Sequence, residues 1–481
     1  MTVSITLSPN TLPAQATGTS VFLQQSMVAL RGQLAAMALT PSDLAEACIA
    51  QVARYESQVQ AWVTFSPELL RQQAKTVDRA VANAIVAGRP VRPLEGMPIG
   101  IKDIMNTHDF PTEMGSPLWD GFLPGNDARV VYYCKDEGAL IPGKTVTAEF
   151  AVHTLGKTLN PFDATRTPGT SSSGSAVAVA MGMVPAALGT QTAGSIVRPA
   201  SFCGVFGVKP SFGLLPRTGM LKTTDSLDTV GYFTAHLEDI PLLFDILRVK
   251  GQNFPISHAA LSDTTRQCKP AGQPWRLGIV RPSHVWGHAT EDAKSQFDAW
   301  VAQLAALPNV IVETVDLPEI AQQSHTLHAT IYNKTLAYYF QAEFEKAELV
   351  SPIMNRLITE GQAITPDQYK AALGQQEQLA QAVDTVLSPY DACFTLSTAG
   401  PAPLREVEES PDSALLWTMS YVPVVSVPQF VSQAPETAGL PFGLQVVARR
   451  YNDYRLFSVL AMLAEQGTIA TRCHPTPAML G

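Results

Sequence analysis

Pro168-Gly169-Thr170-Ser171-Ser172-Ser173-Gly174-Ser175, followed by Gly189-Thr190-Gln191-Thr192-Ala193-Gly194-Ser195, is the pair of segments on which the reading of this chain turns. A run of serine and glycine ordinarily means a flexible linker. Here Thr167-Pro168 precedes the run and Ala176-Val177-Ala178-Val179-Ala180 follows it, a setting suited to a crossing of the core. By spacing, Gly194-Ser195 reads as a serine-capped turn, with an exposed nucleophile as the sharper alternative. If a helix starts just after Ser195, the N–H groups of Thr192, Ala193, Gly194 and Ser195 form a ready oxyanion pocket at its N-terminus. A third element is Lys102 in Pro98-Ile99-Gly100-Ile101-Lys102-Asp103, at the end of an apolar strand. Lysines usually face solvent, but one carried inside loses its preference for the ammonium form and can serve as a neutral base. Its pKa must then fall by about 3 from ~10.4, a differential cost of about 4 kcal/mol to the charged form. Asp103 should point to the opposite strand face and leave Lys102 without a counter-ion.

Around these segments the chain alternates short apolar runs with helical patterns. Met97 to Ile101, Ala139 to Gly143, Met183 to Leu188 and Gly204 to Val208 are bounded by Gly and Pro. Later runs are Arg276 to Val280, Val310 to Thr314, Ala392 to Leu396, Val422 to Val427 and Phe442 to Val447. This pattern predicts buried strands of an α/β protein, with one large central mixed sheet flanked by helices in a single compact domain over residues 1–481. Thr40-Pro41-Ser42-Asp43 opens a helix with a hydroxyl cap, proline at the first position and an acid in the first turn. Leu44, Cys48, Ile49 and Val52 give it one apolar face. A second helix is expected over Pro67 to Ile85 and a third over Ala128 to Glu137. The helical N-terminal region covers residues 1–90, the core 94–240, and a peripheral helical region 318–388, its last helix opened by Thr365-Pro366-Asp367-Gln368. Lys250 to Pro274 is polar and reads as an exposed loop.

Composition excludes several classes. Of 481 residues 46% are hydrophobic and 16% charged, too apolar for a disordered chain. A net charge of −9 with scattered lysines and arginines argues against nucleic-acid and anionic-membrane partners. Ala176 to Val197 is broken by Pro185, glycines and Thr190-Gln191-Thr192, so it is expected to be a buried helix and strand and not a membrane span. Cys48, Cys134, Cys203, Cys268, Cys393 and Cys473 form no CxxC pair and suit a reducing, cytoplasmic compartment. Met1 to Asn10 has no basic segment leading into an apolar one, so no secretory leader is expected. The chain has no GxSxG, HExxH or GxxxxGK[ST] motif. The close histidine pairs His284/His288 and His325/His328 are read as surface or core histidines and not as metal ligands.

With these residues in view, the chain resembles the amidase signature family of serine hydrolases. The family's motif has the form GGSSGGSAA…GTDTGGSIRxPA, against Gly169 to Val177 and Gly189 to Ala200 here. Leu94 to Asp103 is similar to its lysine motif. Gly143-Lys144-Thr145, Asn160-Pro161-Phe162-Asp163, Gly207-Val208-Lys209-Pro210 and Gly439 to Gln445 follow in the family's order. The resemblance implies the amidase signature fold and a Ser/Ser/Lys triad. Ser195 is then the nucleophile, Ser171 the bridging serine on a cis peptide at Thr170-Ser171 or Ser171-Ser172, Lys102 the base, and Ser172 the residue that orients Lys102. No metal or other cofactor is implied. Gln191 replaces the usual Asp, Ala193 a usual Gly and Ser173 another Gly, and Arg198 stands one place late.

The leading functional expectation is a hydrolase of small-molecule amides, extending to aryl esters or carbamates, with water as second substrate and a homodimer left open. The acyl and leaving-group pockets are expected around Thr112, Met114, Gly115 and Ser116, and near Tyr332, Tyr338, Tyr339 and Phe340, although ordinary helix packing also accounts for those aromatics. The alternative is the glutamine-hydrolysing component of an amidotransferase, acting with partner subunits in tRNA-dependent synthesis. A different class, a binding protein that kept the fold and lost activity, conflicts with the intact Lys102, Ser171 and Ser195.

Overall fold

The computed structural model describes residues 20–480. The stretch Met1 to Asn10, read above for a leader, lies outside them. The apolar runs become β1 (Trp62–Phe65), β2 (Ile99–Lys102), β3 (Gly143–Thr145), β4 (Ala186–Gln191), β5 (Phe206–Lys209), β6 (Thr229–Thr234), β7 (Trp275–Val280), β8 (Val310–Val315), β9 (Ala392–Leu396), β10 (Val424–Val431) and β11 (Pro441–Val447). They form one 11-stranded mixed sheet in the order β1-β3-β2-β4-β6-β5-β10-β11-β9-β7-β8. β2 lies parallel between β3 and β4, while β4 and β6 are antiparallel. That arrangement puts the C-terminal ends of β2 and β4, where Lys102 and Thr190 stand, side by side.

Local chemistry explains the helices nearest the expected ones. Thr40 and Asp43 close a capping box on the helix Pro41–Val59. Thr365 and Gln368 do the same for Pro366–Leu387, whose Ala372, Leu379, Ala380, Val383 and Leu387 are buried. Helices also run over Pro67–Val86 and Arg129–Asp136. The serine run leads directly into the helix Ser173–Ala180, every residue of which is buried. Its valines each withdraw a side chain worth roughly 1.5–3 kcal/mol from water. Gly174 is required there, since a Cβ would fall 2.3 Å from the Ala61 carbonyl oxygen and the Val146 nitrogen.

Several expectations are displaced. The run Ala139 to Gly143 meets a strand only at its end, because Leu140 makes an isolated bridge to Pro98 before β3 begins. Met183 belongs to the exit from the helix Ser173–Ala180, its N–H bonding back to the Ala178 carbonyl, so β4 starts three residues later than expected and reaches Gln191. β1 lies inside the region read as helical, and β6, with threonine at both ends and Gly231 midway, has little apolar alternation to mark it. Lys250 to Pro274 is not a bare loop: it contains the helices Pro255–Ser262 and Thr264–Gln267. Among the described residues no helix is long and apolar enough to cross a membrane.

Candidate active site

Lys102 ends β2 with no exposed surface. Its Nζ donates to Ser171 Oγ at 2.7 Å and to Thr190 Oγ1 at 2.8 Å. Burial holds its pKa well below the ordinary lysine value, opposed only by the charge of Asp228. Asp103, the next residue, turns away: its carboxylate lies 3.0 Å from Lys144 Nζ, both side chains being wholly buried. Lys144 also donates to Thr112 Oγ1 at 2.8 Å and to the Pro111 carbonyl at 3.1 Å. The acidic neighbour of Lys102 is therefore neutralised elsewhere.

The serine loop is fastened from both sides. Its Thr170–Ser171 peptide is cis, and the Ser171 carbonyl accepts from Ala148 N at 3.1 Å. Among the described residues, Ser172 makes no hydrogen bond to Lys102. Its hydroxyl donates to the Thr190 carbonyl at 3.1 Å and accepts from Thr190 N at 3.3 Å. Thr190 therefore stands between the two, its side chain on Lys102 and its backbone on Ser172. Ser175 Oγ donates to the Leu188 carbonyl at 2.8 Å and lies 2.7 Å from Thr145 Oγ1, which ties the loop helix to β3 and β4. Among the described residues, Ser173 Oγ is buried without a hydrogen-bond partner.

The nucleophile turn follows β4. A helix, Val197–Cys203, does begin just past Ser195, and Gln191 caps it: Oε1 accepts from Ile196 N at 2.9 Å and Val197 N at 3.0 Å. Gln191 Nε2 donates to Thr418 Oγ1 at 3.0 Å, and Thr418 Oγ1 donates to the Ala193 carbonyl at 2.6 Å. The departure from Asp at this position leaves a capping acceptor in place and adds a donor. Among the described residues, the N–H groups of Thr192, Ala193, Gly194 and Ser195 donate to no protein acceptor, and the Ser195 hydroxyl makes no hydrogen bond. No hydrogen bond closes the step from Ser171 to Ser195. Gly194 admits the Asp412 carboxylate so closely that a Cβ would stand 2.1 Å from Asp412 Oδ2.

A cavity of about 640 Å³ opens beside these two loops, lined by Thr170, Ala193, Arg198, His325, His328 and Asp412 among others. Arg198 reaches across it to Glu409 at 2.9 Å and to the Thr170 carbonyl at 3.3 Å. His328 Nε2 lies 3.1 Å from the Thr192 carbonyl, and burial lowers its pKa to about 4. A carbonyl can only accept, so this nitrogen carries the proton of a neutral imidazole.

Met114, Gly115 and Ser116 do not line this cavity. Met114 N donates to the Asp103 carbonyl and its own carbonyl accepts from Phe150 N, so the segment is tied to the residue that follows β2 and to Phe150. The aromatics pack or face solvent: Phe340 packs against Phe150 with tilted rings whose centres are 4.8 Å apart, the Tyr332 ring lies 5.2 Å from that of His328, Tyr339 donates to Asp225, and Tyr338 is exposed. Of the charged residues that line the cavity, Arg198 belongs to the motif quoted above, whereas Arg356 and the Arg405 to Asp412 segment escape a reading of the sequence because nothing in their local pattern brings them to it.

A mixed sheet that presents two serine-bearing loops beside a buried lysine is the frame of an amide-hydrolysing enzyme. The Amidase family model matches residues 43–457, and the chain belongs to that family. It is 29% identical over 462 residues to the A subunit of glutamyl-tRNA(Gln) amidotransferase from Chloroflexus aggregans, covering 89% of this chain and 93% of that protein. It is similar to the solved peptide amidase of Stenotrophomonas maltophilia at 25% identity and a TM-score of 0.78, covering 95% of this chain and 99% of the other. The fold also matches the A subunit of glutamyl-tRNA(Gln) amidotransferase from Thermotoga maritima, with a TM-score of 0.74 at 24% identity over 95% of this chain and 98% of that one.

Proposed function

We propose that this amidase cleaves small-molecule amides through an acyl-enzyme on Ser195, with Ser171 as proton bridge and Lys102 as base. The observation that carries this reading is the 2.7 Å contact of Lys102 Nζ with Ser171 Oγ, made by a buried lysine without a carboxylate partner. Ser195 Oγ attacks the carbonyl carbon and gives its proton to Ser171 Oγ, whose own proton passes to Lys102 Nζ. Charge gathers on the carbonyl oxygen, where the free N–H groups of the turn can receive it; one such donor is worth about 2.7–4 kcal/mol in the transition state. The proton then returns by the same path to the leaving nitrogen as the C–N bond breaks. Water attacks the ester, its proton takes the same route to Lys102, and Ser195 regains its own as it departs. Aryl esters and carbamates fit the same sequence of steps. The six cysteines form no disulfide with one another, as suits a reducing, cytoplasmic setting.

The alternative reading, the glutamine-hydrolysing component of an amidotransferase, draws on the names of the sequence relatives. The deciding experiment is a panel of amides, anilides, aryl esters, carbamates and glutamine given to the isolated chain, alongside fluorophosphonate labelling of wild type and Ser195→Ala. Amide turnover and labelling by the wild type, with both lost in Ser195→Ala, are the expected results. Absence of labelling and of turnover across the panel would overturn the hydrolase mechanism, and activity that appears only with partner subunits and tRNA would transfer the chain to the alternative.

A further inference from the structure

Asp228 stands just before β6 and is 2% exposed. Five donors converge on its carboxylate: Thr192 Oγ1 at 2.7 Å, Thr223 Oγ1 at 2.6 Å, Thr223 N at 2.8 Å, Thr224 N at 3.0 Å and Thr224 Oγ1 at 3.2 Å. This is the partner set of a carboxylate, because a protonated acid would bring a donor of its own into a ring of donors. Only one of the five belongs to the nucleophile turn. Thr192 is the first residue of that turn, and its carbonyl is taken from the other side by His328 Nε2. The peptide leading to Ala193 is therefore clamped at both ends: Asp228 and His328 hold Thr192, and Thr418 holds the Ala193 carbonyl.

The same carboxylate bears on the base. Asp103 and Lys144, on β2 and β3, are paired with one another. The serine loop and β4 present only hydroxyls to Lys102, those of Ser171 and Thr190. On β6 the Tyr232 hydroxyl donates to the Ile240 carbonyl. From the helix Ser324–Tyr339, His328 is neutral at pH 7 and Tyr332 is held protonated by burial. Asp228 is left as the charge whose field reaches Lys102.

We propose that Asp228 is a positioning residue for acyl transfer, fixing Thr192 at the entrance to the oxyanion turn and setting the charge that Lys102 experiences. The inference rests on the acyl-enzyme reading above. Three variants separate the two. Asp228→Asn keeps the shape but removes the charge; Thr192→Val removes a single hydroxyl contact and leaves the charge; Ser195→Ala tests the parent reading. A neutral Lys102 is required, so kcat/KM rises as pH rises through its pKa. Loss of the neighbouring negative charge makes the ammonium form less favourable, and the acid limb of the profile moves to lower pH.

With an anilide substrate, Asp228→Asn should lower kcat about 100-fold with KM nearly unchanged, as for loss of a well-aimed oxyanion donor, and shift the acid limb downward. Thr192→Val should lower kcat about tenfold, one hydrogen bond's worth, with the limb in place. An unmoved limb in a folded Asp228→Asn, or wild-type kcat in Thr192→Val, overturns the inference while leaving Ser195 chemistry intact. If Asp228→Asn does not fold, Thr192→Val decides alone. Activity surviving in Ser195→Ala overturns the parent reading, and this inference with it.

Discussion

Lys144 Nζ lies 3.0 Å from the Asp103 carboxylate, with both side chains fully withdrawn from solvent. The pair occupies the side of β2 away from the serines, and it removes from Lys102 the counter-ion that its chain neighbour would otherwise supply. Deleting one member of a buried pair leaves an uncompensated charge, at a cost of about 3–5 kcal/mol. Lys144→Met should therefore lose that much stability in urea unfolding. A loss below about 1 kcal/mol, the range of exposed pairs, would show that the pair is not what stabilises this corner.

Lys102→Arg places a guanidinium that does not deprotonate in proteins where a neutral amine is required. Acylation should be lost at every pH, and Lys102→Ala should slow it by orders of magnitude with the fold retained by circular dichroism. In the wild type the single-turnover acylation rate should climb from acid pH and level off well below the ordinary lysine range, because burial depresses the Lys102 pKa. A limb that rises only near pH 10 would contradict a neutral lysine base.

Thr190 Oγ1 is the second acceptor of Lys102 Nζ, at 2.8 Å. Thr190→Val keeps the β-branched shape in β4 and removes the acceptor. The expected result is about a tenfold fall in kcat, the equivalent of roughly 1.4 kcal/mol, with KM unchanged. Equal losses in kcat and in thermal stability would instead mark Thr190 as a packing residue.

Gly194→Ala drives a methyl group to 2.1 Å from Asp412 Oδ2. Either the carboxylate or the turn must move, and a shift of the turn misaims its N–H groups. Fluorophosphonate labelling of Ser195 should slow at least 100-fold, the scale of a lost oxyanion donor. Labelling at the wild-type rate would mean that Asp412 yields and that the turn tolerates a side chain.

His328 has a pKa lowered to about 4 by burial, against ~6.5 when unfolded. The unfolded chain binds the extra proton first as pH falls, so this contribution to stability is complete above about pH 6.5 and is lost on going down to about pH 4, about 3 kcal/mol in all. His328→Gln should flatten that part of the stability curve in urea titrations at stepped pH. His236, also lowered to about 4, continues to titrate in both proteins, so it is the difference between the two curves that reports His328.

Much of the frame is legible in the chain alone. Capping boxes at Thr40 and Thr365 depend on residues three apart, and β5, β7, β9 and β11 coincide closely with apolar runs bounded by turn formers. β6 is not legible in this way, since its threonines and Gly231 owe their strand conformation to β4 and β5 on either side. The pocket shows the same division. Met114, Gly115 and Ser116 are expected from the sequence at the substrate pocket and do not line this cavity, whereas Arg198, His325, His328 and Asp412 meet around it from separate parts of the chain.

By itself the sequence determined the residue types of the candidate relay and the local geometry that carries them: an apolar strand ending in Lys102, a serine run entering a helix, a glycine before Ser195. Those properties depend on neighbours within a turn or a strand. Only the tertiary structure decided that Asp103 answers to Lys144, that Ser172 supports Lys102 through Thr190, and that Asp228 holds Thr192. Each of these is a hydrogen bond or ion pair that joins different loops and strands through at least one side chain. Burial and the order of strands in the sheet create such contacts, and neither can be read from residue spacing.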